Sequence, residues 1–223
     1  MSAPRRPRAL ITDFGGVLST PLLHGFAAFQ DHAGVPLEAL GRAIATLTAR
    51  DGANPVHELE LGRMTEPEFL RRVGAALEAD LGHPVAMHEF TERYWAALGV
   101  EQTMVDLVRD ARAAGFATAL LTNNVREWEP RWRAMLPVDE LFDVVVDSAF
   151  VGLRKPDPAI YRLTCERLGV APEACVFVDD LAANVAAAAA LGMIAVHFRE
   201  AGQSAAETRD ALAGGTVGSP GSG

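Results

Sequence analysis

Short apolar runs alternate with amphipathic stretches throughout the second half of the chain. The apolar runs are rich in β-branched residues and have the length of buried strands. They fall at residues 115–122, 142–148, 174–180 and 193–198. Stretches with helical spacing precede the first, third and fourth of these runs, at residues 100–115, 158–169 and 181–192. This alternation predicts a parallel sheet with helices covering both of its faces.

The residues that punctuate the helices agree with this prediction. Asp157 followed by Pro158 is typical of an N-cap with proline in the first helical position. Gly115, Gly169 and Gly192 stand where the predicted helices end and a left-handed residue is favoured.

A fifth strand of the same type, "RALITD" at residues 8–13, stands far from the other four. The segment 20–98 between them has helical pattern and no convincing strand, with a capping box from Thr65 to Glu68 opening one helix. A structureless connection of that length is uncommon, so we interpret it as a helical insert. The predicted fold is a doubly wound α/β sheet with an inserted helical cap. We assign the core to residues 1–18 and 99–213, the cap to 19–98 and a disordered tail to 214–223.

Composition narrows the range of partners. The 223 residues carry a formal net charge of −9, which argues against nucleic acid and anionic membrane surfaces as partners. No apolar run approaches the length of a membrane span, and no secretory leader is recognisable. The two cysteines, Cys165 and Cys175, are too few for a disulfide framework and fit a reducing cytoplasm. An apolar face of the cap could pair two chains as a homodimer.

Polar side chains follow four of the predicted strands. In a parallel α/β sheet, the carboxyl ends of the strands lie at one edge, where ligands bind. The candidate site therefore combines Asp13, the triplet Thr122-Asn123-Asn124, Lys155 and the pair Asp179-Asp180. Four strands that each deliver such a group indicate one site rather than coincidence.

This set of groups suits the transfer of a phosphoryl group. Asp13 and Asp180 can share a hard cation such as Mg²⁺ through carboxylate oxygens. The metal and Lys155 can neutralise a phosphate dianion, and Thr122 can donate a hydrogen bond to it. A carboxylate oxygen of Asp13 then remains as the nucleophile that forms an aspartyl-phosphate.

At these residues the chain resembles the haloacid dehalogenase superfamily, in the branch with a helical cap after the first strand. The resemblance covers about residues 8–200 and depends on four motifs in order: "DFGGVL", "LLTNN", Lys155 within "VGLRKPDPAIY", and "VFVDDLAANVAAAAALGM". The first two further resemble the phosphatase-like group related to the N-terminal domain of soluble epoxide hydrolase. Each motif is weak alone, whereas their order and spacing are jointly specific.

The resemblance implies a role for each matching residue. Asp13 would be the nucleophile and a metal ligand, Thr122 would bind the phosphoryl group, and Lys155 would orient both. Asp180 would bind Mg²⁺ directly and Asp179 through water.

Further polar groups of the same motifs complete the implied site. Asn184 stands where the family often places an additional polar group. Gly15 would offer its backbone carbonyl to the metal, and the expected substrate-binding residues are Gly15, Gly16, Asn123, Asn124 and Lys155.

Gly15 is the main departure from the family pattern. Phosphatases of the superfamily usually carry a second aspartate there, whose side chain acts as general acid and base. Such a proton shuttle contributes about 10² to 10⁴ in rate. Its absence leaves three interpretations: a substrate with a good leaving group, a replacement acid such as His24, or a protein that binds phosphate compounds with little turnover.

The predicted function is therefore a Mg²⁺-dependent phosphatase of a small phosphorylated metabolite, with the cap setting specificity. One alternative is a metal-free dehalogenase, although adjacent acids at Asp179-Asp180 favour metal dependence. The other is a catalytically weak phospho-ligand-binding or regulatory protein. Simpler interpretations also exist, since Asp180 could cap a helix, and Trp128 and Trp132, four residues apart, could form one packing face.

Overall fold

Five parallel strands form one sheet at the centre of the molecule. The computed structural model describes residues 6–20, 30 and 34–214. The strand order is β3-β2-β1-β4-β5, so the first strand of the chain lies in the middle. The strands are β1 Ala9–Thr12, β2 Ala117–Thr122, β3 Val144–Asp147, β4 Cys175–Asp179 and β5 Ile194–His197. The predicted α/β class is confirmed, and each strand lies inside the apolar run that predicted it.

Helices cover both faces of this sheet and build the insert after β1. Those of the insert are α1 Leu37–Asp51, α2 Pro55–Glu60, α3 Glu66–Leu81 and α4 Phe90–Ala96. Those that follow are α5 Gln102–Ala113, α6 Glu129–Met135, α7 Val138–Leu141, α8 Ser148–Val151, α9 Pro158–Leu168, α10 Ala182–Ala190 and α11 Ala201–Leu212.

Alternation along the strands divides the sheet's apolar side chains between two cores. Leu10 of β1 packs in one core with residues of α5 and α11. Its neighbours Ala9 and Ile11 pack in the other core, with residues of α9 and α10. Because both faces are buried, the strands read as continuous apolar runs in the sequence.

The predicted helix ends are largely confirmed. The Asp157 side chain accepts a hydrogen bond from the Ala159 backbone N at 2.8 Å. Thr65 caps α3 by accepting from the Glu68 backbone N at 3.4 Å. Asp180 does not cap α10, because the N-cap residue there is Leu181. The Asp180 side chain is therefore not committed to the helix it precedes.

The insert after β1 has an apolar cluster of its own. Helices α1, α3 and α4 share this cluster, which includes Leu47, Leu77 and Tyr94. Between residues 34 and 98 the structure contains helices and turns but no strand. Trp95 and Trp128 pack against both this cluster and one core of the sheet. The insert is therefore joined to the sheet by aromatic packing.

Two further observations concern membrane-spanning helices and the two cysteines. Among the described residues, no helix combines the length and apolarity needed to cross a bilayer. Cys165 and Cys175 are free and buried, with their sulfur atoms 3.8 Å apart.

The N-cap of α9 can be tested by substitution of Asp157. We expect Asp157→Ala to lower the free energy of unfolding by about 1 kcal/mol, because the Ala159 amide loses its acceptor. Asp157→Asn is the matched control, since its side-chain oxygen can still accept the bond. Urea denaturation of the three proteins measures the difference, and equal losses in both variants would contradict the capping role.

Candidate active site

Asp13 lies one residue past the end of the central strand. Its backbone N continues the ladder to the Val178 carbonyl at 3.0 Å, and the residue is only 8% exposed. Its Oδ1 accepts a hydrogen bond from the Phe14 backbone N at 2.7 Å and lies 2.8 Å from Lys155 Nζ. Two donors therefore hold the same oxygen, which fixes the orientation of the carboxylate.

Lys155 is fully buried between two carboxylates. Its Nζ lies 2.8 Å from Asp13 Oδ1 and 2.6 Å from Asp179 Oδ2. The Asn123 side chain holds its backbone, since Asn123 Oδ1 accepts from Lys155 N at 2.8 Å and Asn123 Nδ2 donates to Lys155 O at 3.0 Å. The loop after β2 thus positions the lysine that follows β3.

Asp179 is completely buried and both of its oxygens have partners. Oδ2 faces Lys155, and Oδ1 accepts from the Leu181 backbone N and from Asn184 Nδ2, each at 2.9 Å. Asn184 therefore supports Asp179. Asp180 is only partly buried, and His197 Nε2 lies 2.9 Å from its backbone carbonyl.

The cluster holds more negative charge than its lysine can neutralise. Burial raises the pKa of Asp13 to about 8, with Lys155 opposing and the neighbouring carboxylates of Asp179 and Asp180 adding to the rise. Burial and Asp179 also raise the pKa of Asp180. Burial alone would lower the pKa of Lys155, but Asp13 and Asp179 outweigh it and raise that pKa. Three carboxylates around one ammonium leave room for a further cation.

The donor set fits a hard divalent metal such as Mg²⁺. Carboxylate oxygens of Asp13, Asp179 and Asp180 lie within 4.8 Å of one another. Gly16 has a φ of +77°, and a Cβ there would lie 2.3 Å from Asp180 Oδ2. Only glycine lets the backbone approach this carboxylate so closely. Oxygen donors of this kind are the ligands that Mg²⁺ prefers.

The triplet Thr122-Asn123-Asn124, which begins with the last residue of β2, lies at the same edge of the sheet. Thr122 is 1% exposed, and its hydroxyl has only a long contact of 3.5 Å to the Asn123 carbonyl, which leaves it able to turn toward a ligand. The Asn124 side chain accepts from the Val125 backbone N at 2.9 Å. The Asn124 backbone N donates to Ser148 Oγ at 3.0 Å.

Ser148 extends this chain of bonds into the insert. Its hydroxyl donates to the Glu60 backbone carbonyl at 2.6 Å. Arg154 reinforces the connection through an ion pair of 2.7 Å between its Nε and Glu60 Oε2. The end of α2 is therefore tied to the loops that follow β2 and β3.

A cavity of about 150 Å³ lies between the insert and this edge of the sheet. From the core side it is lined by Gly15, Thr122, Asn123 and Asn124, and from the insert mainly by apolar side chains. The helical pattern of 20–98 shows amphipathic faces but not what they contact, so the insert's lining residues could not be identified from the sequence. These residues are Val56, Leu59, Glu60, Glu66, Phe69, Leu70, Phe90, Tyr94, Trp95 and Leu98, and Trp128 of the core also lines the cavity.

The structure brings Asp13, Thr122, Asn123, Lys155, Asp179 and Asp180 to one edge, as the strand positions suggested. Trp128 and Trp132 both pack against the same core of the sheet, where Trp132 is fully buried, and Trp128 also lines the cavity. His24 lies outside the described residues.

Comparison with known proteins identifies a consistent set of similarities. The family model described as haloacid dehalogenase-like hydrolase matches residues 7–192. Mouse acyl-CoA dehydrogenase family member 10 is 33% identical over 86% of this chain, and rat bifunctional epoxide hydrolase 2 is 24% identical over 86%. The chain spans only 18% and 36% of these two relatives.

Another relative and a solved structure are matched over most of their length. Sesquiterpene phosphatase astK of Aspergillus oryzae is 27% identical over 86% of this chain and 90% of its own. A HAD family enzyme of Bacteroides thetaiotaomicron, solved with magnesium and inorganic phosphate, superimposes with a TM-score of 0.66. That match covers 86% of this chain and 94% of the other at 21% identity, so it supports the fold.

The buried lysine provides a test of the site's electrostatics. We expect Lys155→Met to lower the free energy of unfolding by about 3 kcal/mol, because it leaves two buried carboxylates without their cation. Arg154→Met is the matched control: its ion pair with Glu60 is partly exposed, so its loss should cost about 1 kcal/mol or less. Urea denaturation without divalent cations measures both, and equal losses would contradict this account.

Proposed function

This chain belongs to the haloacid dehalogenase-like hydrolases, and from that premise we propose that it is a Mg²⁺-dependent phosphatase. It would hydrolyse a small phosphorylated metabolite through an aspartyl-phosphate on Asp13. The observation that carries the proposal is the buried arrangement of Asp13, Lys155, Asp179 and Asp180. The Asp13 carboxylate is held in a fixed orientation by Lys155, and the carboxyl groups of Asp179 and Asp180 lie beside it. The name of the fungal relative, a phosphatase, supports the reaction class.

The geometry around Asp13 assigns different tasks to its two oxygens. Lys155 Nζ and the Phe14 backbone N both bind Oδ1, so Oδ2 is the oxygen that attacks phosphorus. A bond forms between Oδ2 and phosphorus while the ester bond to the leaving group breaks. Because the carboxylate is already oriented, attack needs alignment and charge stabilisation more than any further activation.

The surrounding residues bind the phosphoryl group and balance charge. The Thr122 hydroxyl donates to a phosphoryl oxygen, and Lys155 offsets the negative charge shared by nucleophile and phosphate. Bound Mg²⁺, held by Asp13, Asp180 and the Gly15 carbonyl, with Asp179 acting through water, would supply the positive charge that phosphate oxygens need. Asn184 and Asn123 position Asp179 and Lys155 and have no direct part in the chemistry.

Gly15 limits the range of substrates. Without an acid at this position, the leaving oxygen departs with little protonation, and water must attack the aspartyl-phosphate with little help from a base. We therefore expect real but reduced turnover, greatest for esters and anhydrides with good leaving groups. The Asp179-Asp180 pair favours this metal-dependent reaction over metal-free dehalogenation.

Phosphate release tests the proposed reaction. Wild-type protein with Mg²⁺ should release phosphate from acetyl phosphate, an acyl phosphate that needs little protonation. Asp13→Asn should lose this activity because its amide is a poor nucleophile, and removal of Mg²⁺ with a chelator should also abolish it. A silent wild type together with an active Gly15→Asp would instead indicate an assembled site without its acid, and the binding-protein alternative would replace the phosphatase.

Thermal denaturation tests the metal site without activity. Mg²⁺ at 100 times its dissociation constant should stabilise the wild type by about 2.7 kcal/mol, because it binds only the folded site. Asp180→Asn should lose most of this stabilisation, whereas Asp139→Asn, whose side chain is 94% exposed, should keep it. An equal Mg²⁺ response in all three proteins would show that the ion binds elsewhere.

A further inference from the structure

The wall of the cavity opposite the strand ends is mainly apolar, and it is built by the insert together with Trp128 of the core. Leu59, Phe69 and Leu70 approach from α2 and α3, and aromatic rings complete the wall. The Tyr94 and Trp128 rings stack at a centroid distance of 4.8 Å. Because these rings pack against one another, the wall is already formed before a ligand binds. Its apolar character comes from the aliphatic and aromatic side chains that line it.

Few polar groups of the cavity remain for a polar substrate. Asn123 Oδ1 and Nδ2 and Asn124 Oδ1 are already bound to backbone groups of the chain. Trp95 Nε1 is a buried lining donor without a hydrogen-bond partner in the described part of the chain, but one such donor cannot satisfy the several hydroxyls of a sugar. Among the described lining residues there is no lysine or arginine that could receive a second anionic group. A sugar would therefore leave hydroxyls without partners when it entered, which is unfavourable.

Two carboxylates also line the cavity, and their partners differ. Glu60 is paired with Arg154, which compensates its charge. Glu66 Oε1 accepts from Trp128 Nε1 at 2.7 Å and from the Thr91 hydroxyl, and both of these donors are neutral. The Arg131 guanidinium also interacts electrostatically with Glu66, but Glu66, unlike Glu60, has no direct ion pair among the described residues, so its carboxylate remains beside the place where a leaving group would lie. It disfavours leaving groups that carry a carboxylate or a second phosphate.

The cavity is continuous with the reaction centre and has a definite size. Gly15 and Thr122 line it together with the apolar wall. Its volume of about 150 Å³ equals that of an apolar protein cavity that binds benzene. A group attached to a phosphate at Asp13 would occupy this space.

We propose that the substrates of this site are phosphate monoesters of small, uncharged aromatic alcohols, with a ring of benzene size in the cavity. This inference rests on the proposed phosphatase function. Asp13 Oδ2 bonds to phosphorus, and the bond from phosphorus to the aryl oxygen breaks. The electron pair leaves on that oxygen, which takes its proton from water. An aryl oxide is stable enough to leave without an acid at Gly15, so the wall and the glycine select the same substrate.

Matched substrates test each part of the proposal through kcat/KM with Mg²⁺. Phenyl phosphate should exceed cyclohexyl phosphate, which has similar size but a poorer leaving group, by about 10² or more, the contribution of a missing proton donor. It should exceed 4-carboxyphenyl phosphate, whose leaving group is at least as good, by about tenfold because of Glu66. Glucose 6-phosphate should be the poorest substrate.

Variants of the cavity connect these preferences to named residues. Glu66→Gln keeps an acceptor for Trp128 and should reduce the discrimination against 4-carboxyphenyl phosphate. Leu70→Asn should lower kcat/KM for phenyl phosphate by about tenfold or more, the effect of a lost apolar contact in a pocket. Leu81→Asn is the control, because Leu81 is also partly buried in α3 but does not line the cavity.

The outcomes separate this inference from the phosphatase function. If acetyl phosphate is hydrolysed but glucose 6-phosphate or 4-carboxyphenyl phosphate matches phenyl phosphate, the aromatic specificity is wrong and the phosphatase stands. If no substrate is cleaved, the phosphatase fails, and calorimetry then decides the inference. Phenylphosphonate binding at least tenfold tighter than methylphosphonate, with the difference lost in Leu70→Asn, would support the aryl site, and equal binding would overturn it.

Discussion

The whole site depends on one buried ammonium group held between two carboxylates. Lys155 has no exposure to solvent, and only its contacts with Asp13 and Asp179 make that burial tolerable. Each member is in turn held by the backbone around it: Asp13 by Phe14, and Lys155 by the side chain of Asn123. A parallel sheet makes this possible, because its central strands end at the same edge and can deliver opposite charges to one point.

The cluster of Asp13, Lys155, Asp179 and Asp180 contains three carboxyl groups and one ammonium group. This excess of acidic groups affects both the protonation of Asp13 and the binding of a cation. Burial raises the pKa of Asp13 to about 8; Lys155 opposes this rise, and the neighbouring carboxylates of Asp179 and Asp180 add to it. A divalent cation would restore the ionised carboxylate that attack requires. Gly16 is needed for the same arrangement, since any side chain there would collide with the Asp180 carboxylate. In the proposed reaction, the same electrostatic excess would bind the metal that keeps Asp13 ionised for attack.

Under the proposed function, reaction and selectivity would come from different parts of the chain. The strand ends supply the charged and polar groups, whereas the insert after β1 supplies the apolar wall and Glu66. The two parts are joined by the bond from Ser148 to the Glu60 carbonyl and by the ion pair of Glu60 with Arg154. Changes in the insert can therefore alter what binds without disturbing the oxygens that react. In the proposed reaction, Gly15 would add a chemical limit to this steric one, because it carries no side chain that could donate a proton.

The hydrophobic pattern and the helix-capping residues were enough to predict the sheet and its parallel direction. They also predicted that Asp13, Thr122 and Asp179 lie at strand ends and that Lys155 follows another strand. They succeed because buried parallel strands are continuous apolar runs whose ends must share an edge. The individual contacts of the site residues could not be predicted from the sequence pattern. That Asn123 clamps the backbone of Lys155, that Leu181 rather than Asp180 caps α10, and that Glu66 faces the cavity all depend on distances between residues far apart in the chain. Local pattern encodes which face of an element is apolar, but only packing decides what that face meets.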